Sequence, residues 1–257
     1  MRPRPAVGER PGAVEARGRG VRPRRILILT GAGVSAESGL GTFRDVGGLW
    51  SQYDLEDVAT PQGFARDPAL VQGFYNARRA NMRGAAPNAA HHALARLQRE
   101  WPARTPGGAV TLVTQNIDDL HERGGSAEVI HMHGELARAV CAACGHRWDA
   151  PEEMRPREPC PACARPAGRP DVVWFGEIPY HMEEIGAALA EAELFVAIGT
   201  SGAVYPAAGF VAEAAAHGAA TLEINLDPSD TAAAFDRHLH GPATRVVPQW
   251  VAGLLEG

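Results

Sequence analysis

Short apolar runs alternate with amphipathic segments along most of the chain. The first run covers residues 24–30 and ends at Gly31. Similar runs recur at 110–114, 172–175, 194–198 and 221–225, and helix-period segments at 88–100, 183–192 and 207–217. Apolar runs of this length are typical of buried parallel strands, and their alternation with helices indicates a sheet covered on both faces. The sequence therefore predicts an α/β fold built on a parallel sheet.

Two segments interrupt this alternation and predict a smaller, discontinuous domain. Residues 50–84 have a helical pattern without a strand, and residues 137–169 contain the cysteines among many prolines. We expect these two insertions, one helical and one metal-binding, to form the small domain. The sheet domain then consists of the remaining segments, 24–49, 85–136 and 170–257.

The first 23 residues differ in composition from the rest. Up to position 25 the chain has eight arginines against Glu9 and Glu15, with proline, glycine and few apolar side chains. Such a segment cannot pack a core, so we expect a disordered basic tail. Residues added by an upstream start codon, or an arm that binds nucleic acid or phosphate, are the alternatives.

Overall composition limits the partners and the compartment. The longest apolar runs fall far short of the roughly 20 residues of a membrane span, and no hydrophobic secretory signal is present. A net charge of −5 argues against nucleic acid as the main partner. We expect a monomeric cytoplasmic protein that binds neither membranes nor nucleic acid.

The four cysteines occur as two CxxC pairs. Cys141 and Cys144 are followed, after fifteen residues, by Cys160 and Cys163. This spacing is typical of a tetrahedral zinc site, and four thiolates leave no open position for catalysis. Two disulfides or unrelated thiols are the alternatives, which a chain without a secretory signal disfavours. We predict one structural Zn²⁺ ion.

A glycine-rich turn follows the first predicted strand. Gly31-Ala32-Gly33-Val34-Ser35-Ala36 has the GxGxxA pattern of dinucleotide-binding loops, in which glycine lets the backbone approach a pyrophosphate. A tight strand-to-helix turn needs glycine without any ligand, so the pattern alone is weak. The acidic ribose ligand expected about 20 residues later in a dehydrogenase is missing. Asn225-Leu226-Asp227 and Gly199-Thr200-Ser201, each after a predicted strand, are better candidates to line the same cleft.

Six motifs occur in the order found in sirtuins, and the chain resembles a bacterial-type sirtuin from about residue 24 to its C-terminus. Two of the six are the paired CxxC motifs and Gly199-Thr200-Ser201. The others are Gly31-Ala32-Gly33-Val34-Ser35-Ala36-Glu37-Ser38-Gly39, Thr42-Phe43-Arg44, Thr114-Gln115-Asn116-Ile117-Asp118 and His131-Met132-His133-Gly134-Glu135. The resemblance implies a Rossmann-like NAD-binding domain. It also implies NAD-dependent removal of acyl groups from protein lysines, which gives nicotinamide and O-acyl-ADP-ribose. Mono-ADP-ribosyl transfer is the nearest alternative, because it shares the cleavage of NAD.

The resemblance also assigns roles to individual residues. His133 is the expected base, since a histidine near neutral pKa can take a proton from a ribose hydroxyl, and Asn116 is expected to assist catalysis. Asn116 and Asp118 resemble the pair that holds nicotinamide and its ribose, although either residue could also cap a helix. The implied NAD contacts are Gly31, Ala32, Gly33, Ser35, Glu37, Thr42, Phe43, Arg44, Trp50, Gln115, Asn116, Ile117, Asp118, Gly199, Thr200, Ser201, Asn225, Leu226, Asp227 and Ala243.

Two further segments resemble sirtuin substrate-binding elements. Tyr75 and Arg78 lie three apart on a predicted helix, so phenol and guanidinium can converge on one carboxylate. This Tyr-x-x-Arg resembles the motif of sirtuins that remove succinyl or malonyl groups. Val173-Trp174-Phe175-Gly176 resembles the segment whose backbone pairs with the substrate peptide. For both segments, ordinary core packing is the alternative interpretation.

Overall fold

The computed structural model describes residues 22–41 and 53–257. Its strands are β1 (Arg25–Thr30), β2 (Ala109–Thr114), β3 (Ile130–His131), β4 (Gly134–Cys141), β5 (Arg147–Asp149), β6 (Glu158–Pro159), β7 (Pro166–Val172), β8 (Leu194–Ile198), β9 (Ala220–Asn225) and β10 (Arg237–His240). Its α-helices are α1 (Gly33–Ala36), α2 (Leu55–Val58), α3 (Pro61–Arg66), α4 (Pro68–Gly84), α5 (Ala89–Arg104), α6 (Leu120–Arg123), α7 (Met182–Glu191), α8 (Phe210–Ala216) and α9 (Ala243–Glu256).

The main sheet has six strands in the order β10-β9-β8-β1-β2-β3, and all of its pairings are parallel. From β1 the chain proceeds to β2 and β3 on one side, and it later returns to add β8, β9 and β10 on the other. The strand order therefore reverses between β1 and β8. In open parallel sheets, ligands bind at such a switch point, beyond the carboxyl ends of the strands.

Alternate residues of β1 face different helical layers. Ile26 and Ile28 belong to the core beneath α5 and α9, whereas Leu27 and Leu29 belong to the core beneath α7 and α8. Both faces are covered, which is why the strand is a continuous apolar run. The predicted α/β fold class is confirmed.

A second, smaller sheet is antiparallel and has the strand order β5-β4-β7-β6. It contains the cysteine segment and lies next to α4, which packs on β4 and β7. One cluster of buried side chains joins these elements, among them Phe74, Tyr75, Leu136 and Trp174. The exact division of the chain into two domains stays a prediction.

The prediction of a sheet strand at residues 172–175 was wrong. Val172 is the last residue of β7 in the small antiparallel sheet, and residues 173–175 follow it outside any strand. The apolar run reflects packing instead, because Trp174 is buried beside Tyr75 and the Phe175 amide donates to the carbonyl of Ala59.

The edge strand β10 and helix α9 were not predicted. The four residues of β10 alternate between half-buried and exposed, and their sequence, Arg-His-Leu-His, gives little apolar signal. Helix α9 contains Pro248 but buries Val247, Trp250 and Val251 against the sheet. Among the residues described, no helix is long and apolar enough to cross a membrane.

Candidate active site

The glycine loop after β1 meets the loop after β8 at the switch point of the main sheet. The Gly31 amide donates to the carbonyl of Ile198 at 3.0 Å, and the Gly33 amide donates to that of Gly199 at 2.8 Å. A Cβ on Gly31 would lie 2.8 Å from the Gly199 oxygen, and one on Gly33 would lie 2.7 Å from the Gly199 Cα. Close contact between two loops therefore requires these glycines even before any ligand is considered.

The loop after β2 crosses the same region. The Asn116 side chain, which is buried, donates to the Gly31 carbonyl and to Ser35 Oγ, each at 3.2 Å. Asp118 is also buried, and its carboxylate accepts the amide of Leu120, the first residue of α6, although the N-cap position itself is Asp119, which makes no side-chain cap. Burial raises the pKa of Asp118, and its hydrogen bonds with Leu120 and Ser35 oppose that shift.

Gln115 connects the nucleotide loops to the predicted base. Its side-chain amide donates to Thr200 Oγ1 at 2.9 Å, and its backbone carbonyl lies 3.1 Å from His133 Nδ1. A carbonyl oxygen only accepts, so Nδ1 of the neutral ring carries the proton and Nε2 has the free lone pair. Burial lowers the pKa of His133, and the Gln115 carbonyl only partly compensates. His133 therefore favours the neutral form, as a general base requires.

The other two histidines near His133 in sequence are engaged differently. His131 is buried, and its Nε2 lies 2.7 Å from Glu122 Oε1. Burial opposes protonation, but the Glu122 hydrogen bond and charge outweigh it, so the pKa of His131 is raised. His121 is fully buried and contacts Thr30 Oγ1 at 3.0 Å. His133 alone of these three is both half-exposed and kept neutral.

Sequence reasoning missed a buried polar network beneath the glycine loop. His91 lies on α5, and its Nε2 is 3.3 Å from Ser35 Oγ. Its ring packs edge-on against the His121 ring, with 4.9 Å between the ring centroids. The Thr30 hydroxyl donates to that of Thr114. One signal in the sequence was available: Asn88 and His91 form a capping box at the start of α5.

Tyr75 and Arg78 lie three residues apart on α4. The Tyr75 phenol is buried and accepts a hydrogen bond from Trp174 Nε1 at 2.9 Å, which leaves its own proton available for donation. Burial raises the pKa of Tyr75 and lowers that of Arg78. Tyr75 and Asp118 both interact electrostatically with Arg78 and favour its charged form.

The segment from Val173 to Gly176 runs directly beside His133. The Val173 amide donates to the His133 carbonyl at 2.9 Å. Trp174 is buried and contacts Tyr75, whereas Phe175 is 49% exposed and Gly176 has a φ of +88°. Core packing and surface exposure thus coexist here, with Trp174 inside and Phe175 outside.

The loops after β8 and β9 contact each other beyond the carboxyl ends of these strands. Asn225 Nδ2 donates to the Thr200 carbonyl at 2.8 Å, and the Ser201 carbonyl accepts the Asp230 amide. Leu226 and Asp227 are exposed at the end of β9. Ala243 is the first residue of α9, and Glu37 accepts from both the amide and the hydroxyl of the next residue, Thr244.

Most of the predicted NAD contacts thus come together beyond the carboxyl ends of β1, β2, β8 and β9. Ala32 lies in the glycine loop between Gly31 and Gly33, and Ile117 lies between Asn116 and Asp118 with its carbonyl bound to the Leu136 amide. The remaining predicted contacts, Thr42, Phe43, Arg44 and Trp50, lie outside the described residues.

The four cysteine sulfurs form one cluster. Cys141 Sγ lies 3.7 Å from Cys163 Sγ, Cys144 Sγ lies 3.7 Å from Cys160 Sγ, and all four atoms lie within 4.8 Å of one another. Tetrahedral zinc with bonds of about 2.3 Å separates its sulfur ligands by roughly 3.8 Å. All four thiols are free rather than disulfide-bonded. The donor set and spacing fit a zinc ion.

Comparison with known proteins identifies the family. The model of the Sir2 family matches residues 31–206, which is more than half of the chain. The chain belongs to the Sir2 family. Among its Sir2 relatives, the NAD-dependent protein deacylase of Caulobacter vibrioides is 62% identical over 232 residues, 90% of this chain and 97% of that protein. The Escherichia coli K12 protein of the same name is 55% identical over 236 residues, 91% of this chain and 83% of that protein.

Solved Sir2 structures share the fold. A Sir2 homologue in complex with NAD superposes with a TM-score of 0.82 at 37% identity, over 91% of this chain and 90% of that one. A mutant Sir2 homologue in complex with ADP-ribose superposes with a TM-score of 0.83 at 38% identity, over 91% and 93% of the two chains. The sirtuin resemblance seen in the sequence is confirmed.

Proposed function

We propose that this chain is an NAD-dependent protein deacylase that removes acyl groups from lysine side chains. Its relatives bear that name, and a Sir2 homologue of the same fold binds NAD. The observation that carries the proposal is Gln115, which holds Thr200 through its side chain and His133 through its carbonyl. One residue thereby connects the loops at the switch point to a neutral histidine.

NAD, when bound, supplies the ADP-ribose to which the acyl group is transferred. We assign the nicotinamide end to Asn116 and Asp118, because both are buried polar groups beside the glycine loop. A buried amide or carboxyl group rejects a ligand that cannot satisfy its hydrogen bonds. The adenosine end is assigned to the loop of Thr200 and to Asn225, which hold each other at the far side of the cleft.

His133 is assigned as the general base. Its Nε2 has the lone pair that takes a proton from a ribose hydroxyl, while Nδ1 stays bonded to the Gln115 carbonyl. The protein substrate is assigned to the adjacent segment from Val173 to Gly176, where backbone pairing gives affinity with little demand on sequence. The chain itself has no lysine, so it does not compete as its own substrate.

The preferred acyl groups are those that end in a carboxylate, such as succinyl and malonyl. Arg78 offers a planar pair of donors, and the Tyr75 phenol donates a third hydrogen bond because Trp174 already donates to its oxygen. The Tyr75 phenol is buried and Arg78 is half-buried, so a carboxylate between them meets less competition from water than it would at the surface. Acetyl is shorter and does not require Arg78.

The test is a comparison of deacylation rates on one peptide that carries either acetyl-lysine or succinyl-lysine, with and without NAD. We expect NAD-dependent loss of both groups, and a desuccinylation rate that falls at least ten-fold in Arg78→Met while the deacetylation rate changes little. Arg83→Met is the matched control, because Arg83 is exposed in the last turn of the same helix.

Two results would contradict the proposal at different levels. Equal loss of both activities in Arg78→Met would contradict the acyl preference alone. The same assay is run with NAD labelled in its ADP-ribose. If neither acyl group is removed and the label is found on protein, mono-ADP-ribosyl transfer is the function instead.

A monomeric state and a cytoplasmic location stay predictions.

A further inference from the structure

We propose that Glu223, His238 and His240 form a second metal site, separate from the four cysteines, for a divalent transition-metal ion such as Zn²⁺. Each of the three offers one ligand atom, and these atoms all lie within 4.8 Å of one another. Two imidazoles and one carboxylate are a donor set that binds zinc with a coordination position left open.

The register between the edge strand β10 and its neighbour β9 brings these residues together. Strands β9 and β10 are parallel, with His238 opposite Glu223 and His240 opposite Asn225. Side chains two apart on a strand share one face of the sheet. Both imidazoles therefore lie on the same face as the Glu223 carboxylate, at the outer edge of the main sheet.

The distances match a metal site before any ion is added. Glu223 Oε2 lies 3.3 Å from His238 Nδ1 and 3.8 Å from His240 Nε2. A tetrahedral zinc ion with bonds of about 2.0–2.1 Å separates its ligand atoms by roughly 3.3–3.4 Å. The His238 distance already matches this separation, and the His240 ring would have to move toward Glu223 to complete the site.

Burial and charge favour a cation at this position. The side chain of Glu223 is 1% exposed, and its Oε1 accepts the Ser229 amide at 3.2 Å, which orients Oε2 toward the histidines. A buried carboxylate is costly unless it is paired. Neutral imidazoles bring lone pairs but no positive charge, whereas a divalent ion compensates the carboxylate and uses both lone pairs.

The site is also accessible. The side chains of His238 and His240 are 33% and 43% exposed, so an ion can enter from solvent and retain water as its remaining ligand. A bound ion would fasten β10 to β9. This link lies two residues before Asn225 and three residues before Ala243, at the end of the cleft assigned to adenosine.

The first experiment titrates Zn²⁺ into the full chain whose cysteine site is already loaded, with metal content measured beforehand. Calorimetry should detect one additional equivalent, and the melting temperature should rise with zinc concentration. The double variant His238→Ala/His240→Ala should bind this equivalent at least ten-fold more weakly. The matched control is His217→Ala, which removes an exposed histidine at the end of α8.

A second probe separates the new site from the cysteines. Co²⁺ bound by nitrogen and oxygen lacks the thiolate-to-metal charge-transfer absorption that Co²⁺ bound by cysteine shows. The additional equivalent of Co²⁺ should therefore bind without that absorption. Glu223→Gln should weaken the binding of this equivalent. The proposal is overturned if the unmodified chain binds no additional equivalent, or if the double variant binds it as tightly. In that case Glu223 and the two histidines form only the contacts seen in the structure.

Discussion

At the scale of single residues, the hydrogen-bond partners and burial of each histidine decide whether it favours the neutral or the charged form. His121, His131 and His133 are close in sequence, but their neighbours give them opposite tendencies. Glu122 raises the pKa of His131, whereas burial lowers the pKa of His121 and of His133. The sequence alone could not choose among the three, and the resemblance to sirtuins was needed to select His133.

Replacement of His133 by alanine should reduce deacylation by about 10²–10⁴-fold, the usual contribution of a general base. NAD binding, measured by calorimetry, should change little, because Gln115 keeps its bond to Thr200. His131→Ala should instead weaken NAD binding. His131 bonds both Glu122 and the Asn116 carbonyl, so its loss disturbs the 116–118 loop. A His133→Ala variant that retains most of its rate would refute the assignment of the base.

The pH dependence follows from the lowered pKa of His133. The neutral form is the active base, and a lowered pKa keeps the ring neutral to a lower pH than the ordinary value of about 6.5. The value of kcat/KM should therefore be constant near neutral pH and should fall on acidification with a midpoint below about 6.5. A midpoint above 7 in a pH–rate profile would contradict the lowered pKa of His133.

At the scale of elements, the start of α5 supports the glycine loop. Asn88 Oδ1 accepts the Ala90 amide and caps the helix, and its Nδ2 donates to the Val34 carbonyl and to Ser38 Oγ, each at 2.9 Å. One side chain thus begins a helix and holds the loop that follows β1. The sequence predicted a helix from residue 88 and a nucleotide loop at residue 31, but it did not connect them.

Asn88→Ala should lower the free energy of unfolding by about 1–2 kcal/mol, because a cap and two further hydrogen bonds are lost. Asn88→Asp keeps the cap but cannot donate to Val34 or Ser38. We therefore expect both variants to raise the KM for NAD, and only the alanine variant to show the full loss of stability. Urea denaturation and steady-state kinetics measure the two effects, and an unchanged KM in both variants would show that the loop needs no such support.

At the scale of the whole molecule, the zinc cluster and the cleft are connected by one strand. Strand β4 begins at Gly134, immediately after His133, and ends at Cys141. It pairs with β7, whose end leads into the Val173 segment. The sheet that a bound zinc ion would stabilise therefore positions both His133, the proposed base, and the candidate peptide-binding segment.

Removal of zinc by a chelator should abolish deacylation while most of the fold remains. Hydrogen exchange should show loss of protection in β4 to β7, whereas β1, β2 and β8 should stay protected, because their core lies between the covering helices. Readdition of zinc should restore both protection and activity. Cooperative unfolding of the whole chain on chelation would instead mean that the two sheets do not behave as separate units.

The sequence by itself determined the chemistry and the fold class. The spacing of the cysteines predicted a zinc site that their clustering fits, and the order of the motifs and the continuous apolar runs indicated the family and the parallel sheet. These features are readable because each depends on residues that are near one another in the chain. Local periodicity also located α5, α7 and α8, with ends that differ by one to four residues from those expected.

Tertiary structure decided what depends on distant partners. The apolar run at 172–175 predicted a strand, yet Trp174 is buried against Tyr75, which lies 99 residues away. Gly31 and Gly33 suggested room for a pyrophosphate, but their closest neighbour is Gly199. Glu223, His238 and His240 converge only because β10 pairs in register with β9. Such contacts are set by how the sheet orders its strands, which no local pattern records.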